Sequence, residues 1–258
     1  MDIQLGHYPQ VILLVLTRIT AVMATVPFYG APKVSPKLRV AMALMIAIVV
    51  VPGISGEWVE AARRIRTVPE MFTAVLAEVM VGALIGLICN AFVGACVLAG
   101  TIVGRGSSLM MAQSLDPTSG ASSAIMAQIM RMIFILLVLL MNGHLVLVKL
   151  VASSFVTLST PIHWAGMDGF GLVLDAGSKM FQWGLRLALP VLCVSLILQV
   201  ALSLMVRMAP AFNVLFLSLP IRLGTGLVVF GLTLRLGAGL FERMTAEMIE
   251  RCGLVLSG

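Results

Sequence analysis

Residues 187–206, LALPVLCVSLILQVALSLMV, form an apolar run without a charged side chain, closed by Arg186 at one end and Arg207 at the other. That length matches the roughly 20 residues an α-helix needs to cross a hydrocarbon core about 30 Å thick. The runs 40–56, 79–104 and 132–148 are likewise free of Asp, Glu, Lys and Arg. Across its 258 residues the chain is 60% hydrophobic and 11% charged, with a mean hydropathy of +1.10. An ordinary globular domain is about 25% charged, and a soluble domain of this size has no means of hiding so much apolar surface. The expected class is therefore an all-α, multi-helix integral membrane protein with long, bent helical hairpins and no soluble domain.

Proline, glycine and charge punctuation divides the chain into about six helical segments, 9–28, 37–51, 69–103, 124–158, 177–208 and 212–250, read as one domain over 1–258. A segment such as 69–103 would be roughly 50 Å long at 1.5 Å per residue, so it has to tilt, bend or project beyond a bilayer. The connections are 29–36, 52–68, 104–123 and 159–176, with a tight break at Met208-Ala-Pro-Ala. The start, MDIQLGHYPQVILLVLTRIT, has Asp2 and no leading basic residue, so its first apolar segment is expected to be retained rather than cleaved.

The basic residues are scattered between apolar segments and form no patch with interleaved aromatics, so the net charge of +6 does not point to nucleic acid. Nor do they orient the chain. Arg63, Arg64, Arg66, Lys179, Arg243 and Arg251 on one alternate set of connections balance Lys33, Lys37, Arg39, Arg105, Arg207 and Arg222 on the other. Cys89, Cys96, Cys193 and Cys252 lack the paired short spacing of a zinc site or a disulfide framework, and read as small packing residues.

Ionisable groups inside apolar segments are costly and usually face protein or water. Arg18, Glu78, Arg131, His144 and Lys149 are of this kind. An ion-coupled transporter would use Glu78 or His144 as its proton or ion site; the structural alternative is pairing within the bundle or snorkelling to an interface. Gly82 and Gly86 make a G-x-x-x-G step that permits close helix approach, with Gly94 two such steps further on. Enzyme chemistry finds little support. Ser119 has no G-x-S-x-G elbow, and His7, His144 and His163 are too scattered to hold a catalytic metal.

The connection after the third segment, GRGSSLMMAQSLDPTSGASS over residues 104–123, is polar and rich in glycine and serine, yet it lies between two very apolar helices. At membrane depth such a backbone is tolerated only against protein or beside a water-filled cavity. A loop that lines or closes a pore is one reading, an ordinary exposed connection the other. Eighteen methionines, Met126, Met130, Met208 and Met244 among them, supply flexible side chains able to seal against changing surfaces or simply to fill a loose core.

The order of this punctuation resembles the FliR family, the T-type component of type III secretion export gates. The likeness is carried by Arg18, Pro27, Pro36-Lys37-Leu38-Arg39 and Pro52; by Glu78, Gly82, Gly86, Gly100 and Met111-Ala112-Gln113-Ser114-Leu115-Asp116-Pro117; by Asn142-Gly143-His144-Leu145 and Ser154-Phe155; and by Leu187-Ala188-Leu189-Pro190, Arg207-Met208-Ala209-Pro210, Asn213, Pro220 and Gly226. It runs over nearly the whole chain, and Arg207-Met-Ala-Pro followed by Asn213 is its most specific part. Ala211 stands where the family usually has Gln, so a contact made by that Gln is lost or replaced here.

The resemblance implies a non-enzymatic structural and gating subunit of the flagellar export gate in the bacterial inner membrane at the basal body, without a cofactor. The virulence-injectisome counterpart is the near alternative. Its implied partners are the P-type and Q-type membrane subunits, other export-apparatus membrane proteins, membrane lipid and unfolded flagellar proteins as substrates. Arg105, Gly106, Leu109, Met110, Met111, Asp116 and Pro117 then correspond to the family's plug, closing the channel sterically, with Gly104, Gly106 and Gly120 as hinges. Arg18, Glu78, His144, Arg207 and Asn213 are assigned to buried or inter-subunit polar contacts. No G-x-x-x-x-G-K-[ST] loop is present, so opening would draw on partner proteins or the proton-motive force.

Overall fold

The computed structural model describes residues 9–29, 35–107, 125–157, 169–208 and 214–257. Among them are nine α-helices and no strand: α1 (Pro9–Thr25), α2 (Pro36–Val50), α3 (Gly56–Arg64), α4 (Val68–Gly106), α5 (Ile125–Leu140), α6 (Gly143–Thr157), α7 (Gly169–Met208), α8 (Val214–Leu236) and α9 (Ala238–Ser257). By length and composition three stretches can cross a membrane, Pro36–Gly53, Val68–Gly106 and Gly169–Met208, and up to five if the bent pairs α5–α6 and α8–α9 each count as one span. The chain is an all-α membrane protein.

Local chemistry sets the helix starts. Ser35 caps α2 by accepting from the Leu38 N–H at 3.3 Å, with Pro36 in the first turn. The Thr67-Val-Pro-Glu70 start of α4 is a reciprocal capping box: the Glu70 N–H donates to the Thr67 hydroxyl at 3.4 Å, and the Glu70 carboxylate accepts from the Thr67 N–H at 3.3 Å.

The helices depart from the sequence-based boundaries in five places. The connection 52–68 contains α3, whose Trp58 and Ala62 are buried one turn apart while Glu57, Glu60, Arg63 and Arg64 are exposed. This amphipathic turn is too short and too charged to register as a hydropathic segment. The segment 124–158 is not one helix. It breaks at Asn142, which adopts φ 56°, a left-handed conformation that Asn tolerates better than most residues, and restarts as the Leu145 and Val146 N–H groups donate to the Asn142 carbonyl at 3.0 and 3.1 Å. The segment 212–250 likewise divides at Gly237, between α8 and α9. Finally α4 runs on to Gly106, so Arg105 and Gly106 close a helix instead of opening a loop, and α7 starts at Gly169 and continues through Pro190.

The chain forms two compact units: Met1–Ala91 with Val138–Gly177 and Thr245–Gly258, and Phe92–Leu137 with Ser178–Met244. In the first unit α1 packs on α2 and α3, burying Val11, Leu14, Val15, Arg18, Ile19 and Val22 along one stripe. The early part of α4 comes so close to α1 that only glycine fits. A Cβ at Gly82 would sit 2.5 Å from the Ala21 Cβ, and one at Gly86 would sit 2.1 Å from the Thr25 hydroxyl. Asn90 sews the two helices together, its Nδ2 donating to the Thr25 and Gly86 carbonyls at 2.8 Å each. In the second unit Gly100 of α4 meets α5, where an added Cβ would lie 2.4 Å from the Ala127 Cα, and Gly226 of α8 is in equally close contact with Ser107.

Gly86→Ala should therefore sharply reduce the amount of protein recovered in membranes, because both the Thr25 side chain and its backbone stand in the way. Gly239→Ala, on α9 with nothing within 4 Å, should leave that amount unchanged; quantitative immunoblots of membrane fractions compare the two.

Candidate functional site

The most concentrated polar chemistry among the described residues lies inside the first unit. Arg18 falls on the buried stripe of α1, and Glu78 stands one turn ahead of Gly82 on α4, so the close approach of the two helices sets their side chains against each other. The pairing is two-pronged: Arg18 Nε donates to Glu78 Oε2, and Nη2 donates to Oε1 at 2.9 Å. The remaining Nη1 donates to the Ser154 hydroxyl on α6 at 2.8 Å, and that hydroxyl in turn donates to the Val151 carbonyl at 2.6 Å. Such a fork is the strongest arrangement available to a buried arginine, because it matches two donors to two acceptors in one plane.

An aromatic wall completes the cluster. The Arg18 guanidinium carbon lies 4.3 Å from the centre of the Phe155 ring, which meets the Trp58 ring in a T-shaped pair with centroids 5.3 Å apart and planes at 89°. The Ser55 hydroxyl, which caps α3, donates to the Phe155 carbonyl at 3.2 Å. Arg18, Glu78, Ser154, Phe155 and Trp58 are all at most 2% exposed. Four helices, α1, α3, α4 and α6, are thus tied at one sealed, charge-neutral point.

Comparison with known proteins bears on what such a molecule is. The family described as "Bacterial export proteins, family 1" matches residues 10–248. The chain belongs to bacterial export protein family 1. Relatives in this family include the "Flagellar biosynthetic protein FliR" of Escherichia coli strain K12, 29% identical over 244 residues that cover 94% of this chain and 91% of the relative. The proteins of the same name from Caulobacter vibrioides and Bacillus subtilis are 27% and 24% identical, covering 86% and 84% of this chain and 87% and 83% of their own lengths.

Within this family 1 chain the other sequence-selected residues are dispersed. His144 lies in the first turn of α6; its backbone carbonyl accepts from the Tyr29 hydroxyl at 3.2 Å, and among the described residues its Nδ1 has no hydrogen-bond partner. Arg131 and Lys149 are exposed, as are Arg105 near the end of α4 and Arg207 in the last turn of α7. Gly106 faces Ser195. Leu109, Met110, Met111, Asp116, Pro117 and Asn213 lie outside the described residues. Among the described residues no three His, Cys, Asp or Glu side chains gather as a metal site would need.

Two contacts were not foreseen. Cys89 of α4 and Cys252 of α9, both fully buried in the first unit, bring their sulfurs to 3.7 Å. Arg251 pairs with Asp175 and, at 3.7 Å, with Glu247. Only the Glu247–Arg251 spacing of four residues signals itself in the sequence. Trp58 carried a signal that went unused, being a lone aromatic in an otherwise charged stretch.

Removing one member of a buried ion pair strands the other charge and costs about 3–5 kcal/mol, whereas replacing both by apolar groups is often close to neutral. Arg18→Met and Glu78→Met should each destabilise the protein by about that amount, while the double substitution should recover more than half of the loss. Melting of the three variants in detergent micelles measures the coupling.

Proposed function

We propose that this chain is a structural and gating subunit of the flagellar type III protein export gate, seated in the inner membrane at the basal body. In that assembly it joins P-type and Q-type membrane subunits around a channel for unfolded flagellar proteins. Membership of the export family over residues 10–248 carries the proposal, and the name FliR shared by its relatives points to the flagellar system rather than an injectisome.

The gating part rests on the segment 108–124 and on how its flanks are held. Just before it, Ser107 presses on Gly226; just after it, Met126 and Ala127 press on Gly100, all within the second unit. On this reading Leu109, Met110 and Met111, with Asp116 and Pro117, form the plug. Arg105 and Gly106 belong to the stem of the plug, as the last residues of α4. The ion pair of Arg18 and Glu78 is the brace of the first unit rather than a proton path, because both carboxylate oxygens are already engaged by the guanidinium.

Deleting the gene should abolish both swimming and flagellin secretion, with recovery from a plasmid copy. Normal flagella in the deletion strain would overturn the flagellar reading and turn attention to an injectisome. In a complemented strain, removal of residues 110–114 should raise the ion conductance of the membrane without preventing assembly. Unchanged conductance in an assembled gate would remove the plug from the proposal.

A further inference from the structure

Cys89 of α4 and Cys252 of α9 stand 163 residues apart in sequence, yet both are fully buried in the first unit, with their sulfurs in contact at 3.7 Å. The setting is apolar: Ile85 shares the face of α4 that carries Cys89, and Met248 and Val255 share the face of α9 that carries Cys252, all of them fully buried. The other two thiols are Cys96, buried, and Cys193, exposed. Every residue of the second unit, Phe92–Leu137 and Ser178–Met244, lies between Cys89 and Cys252 in sequence.

Two chemistries suit a pair of thiols at this distance, a soft metal ion or a disulfide. A monovalent ion such as Cu(I) held by two thiolates would leave a net negative charge in an apolar interior, a costly state, and among the described residues no third His, Cys, Asp or Glu gathers there. A disulfide is neutral and adds no atom to the packed site. We propose that Cys89 and Cys252 are a redox modification site, closed by hydrogen peroxide into a disulfide that clasps α9 to α4. One sulfur, as thiolate, attacks a peroxide oxygen; the O–O bond breaks, and the departing hydroxide takes up the thiol's proton to give water and a sulfenic acid. The other sulfur then forms the S–S bond and displaces the sulfenic oxygen as a second water. Two thiols have lost two electrons and two protons, and one peroxide has become two waters. Enclosure selects the oxidant: hydrogen peroxide is small and uncharged, whereas a glutathione adduct needs room for a tripeptide that a fully buried sulfur lacks. In a reducing compartment the pair rests as thiols. Once oxidised, it joins the two points of the chain that flank the whole second unit, and α9 can no longer part from α4. This site goes beyond the export-gate reading and does not depend on it.

The test treats membranes containing the full-length chain with hydrogen peroxide, then denatures the protein and labels it with a polyethylene-glycol maleimide that adds one mass step per free thiol. The chain has four cysteines, so four steps less the bonded pair should leave two. Dithiothreitol should restore all four, and mass spectrometry of a digest should find the Cys89 and Cys252 peptides joined. In detergent the oxidised chain should lose its fold on heating about tenfold more slowly than the reduced chain, a difference that Cys89→Ala and Cys252→Ala should each abolish. Four steps after peroxide, a bond that uses Cys96 or Cys193, a bond between two copies, or equal heat inactivation of the oxidised and reduced wild-type chain would overturn the proposal. If an alanine variant fails to accumulate, the labelling and peptide map of the wild-type chain still decide it.

Discussion

A buried arginine is tolerable only if its charge is met where it lies, and in the first unit everything turns on Glu78 meeting Arg18. The match requires α1 and α4 to run close together, and Gly82 and Gly86 permit that approach by removing the side chains that would hold the helices apart. The requirement extends further. The guanidinium has a third nitrogen, Nη1, to satisfy, so α6 must bring Ser154, and its flat face is covered by Phe155, which is itself held by Trp58 of α3. Helices that would otherwise pack by shape alone are thereby fixed in register by one polar group, a specifying role documented for some buried polar residues.

Helix α4 extends this logic beyond the first unit. In the first unit Gly82 and Gly86 of this 39-residue helix receive α1. In the second unit Gly100 receives α5, and Gly94 meets Met180 of α7. The helix is about 58 Å long at 1.5 Å per residue, far beyond a hydrocarbon core of about 30 Å, and its length serves packing partners as much as membrane thickness.

Helical class and most helix cores could be read from apolar run length, because nothing but a helix tolerates such runs as 79–104 and 187–206. What escaped was local. A break of two residues, as at Met141 and Asn142, leaves hydropathy almost untouched, so one apolar segment hid two helices. The charged face of α3 masked Trp58. At the site, Arg18 and Glu78 stood out individually because charge in an apolar helix is rare, but a sequence separation of sixty leaves no periodicity to announce a pair. Ser154 and Phe155 were visible only through family resemblance, since a serine and a phenylalanine in an apolar helix carry no physical signal of their own.

The positive-inside rule reads charges that answer to the membrane, whereas Arg251, one of the twelve weighed for orientation, answers to protein, engaged by Asp175 and Glu247. The first unit is neutral in formal charge and satisfies its deepest polar group internally, as a self-contained body should. The second carries eight basic residues against two acidic ones along helices such as α7, whose most apolar stretch is only 11% buried. The net positive charge of the chain is thus carried by its second unit.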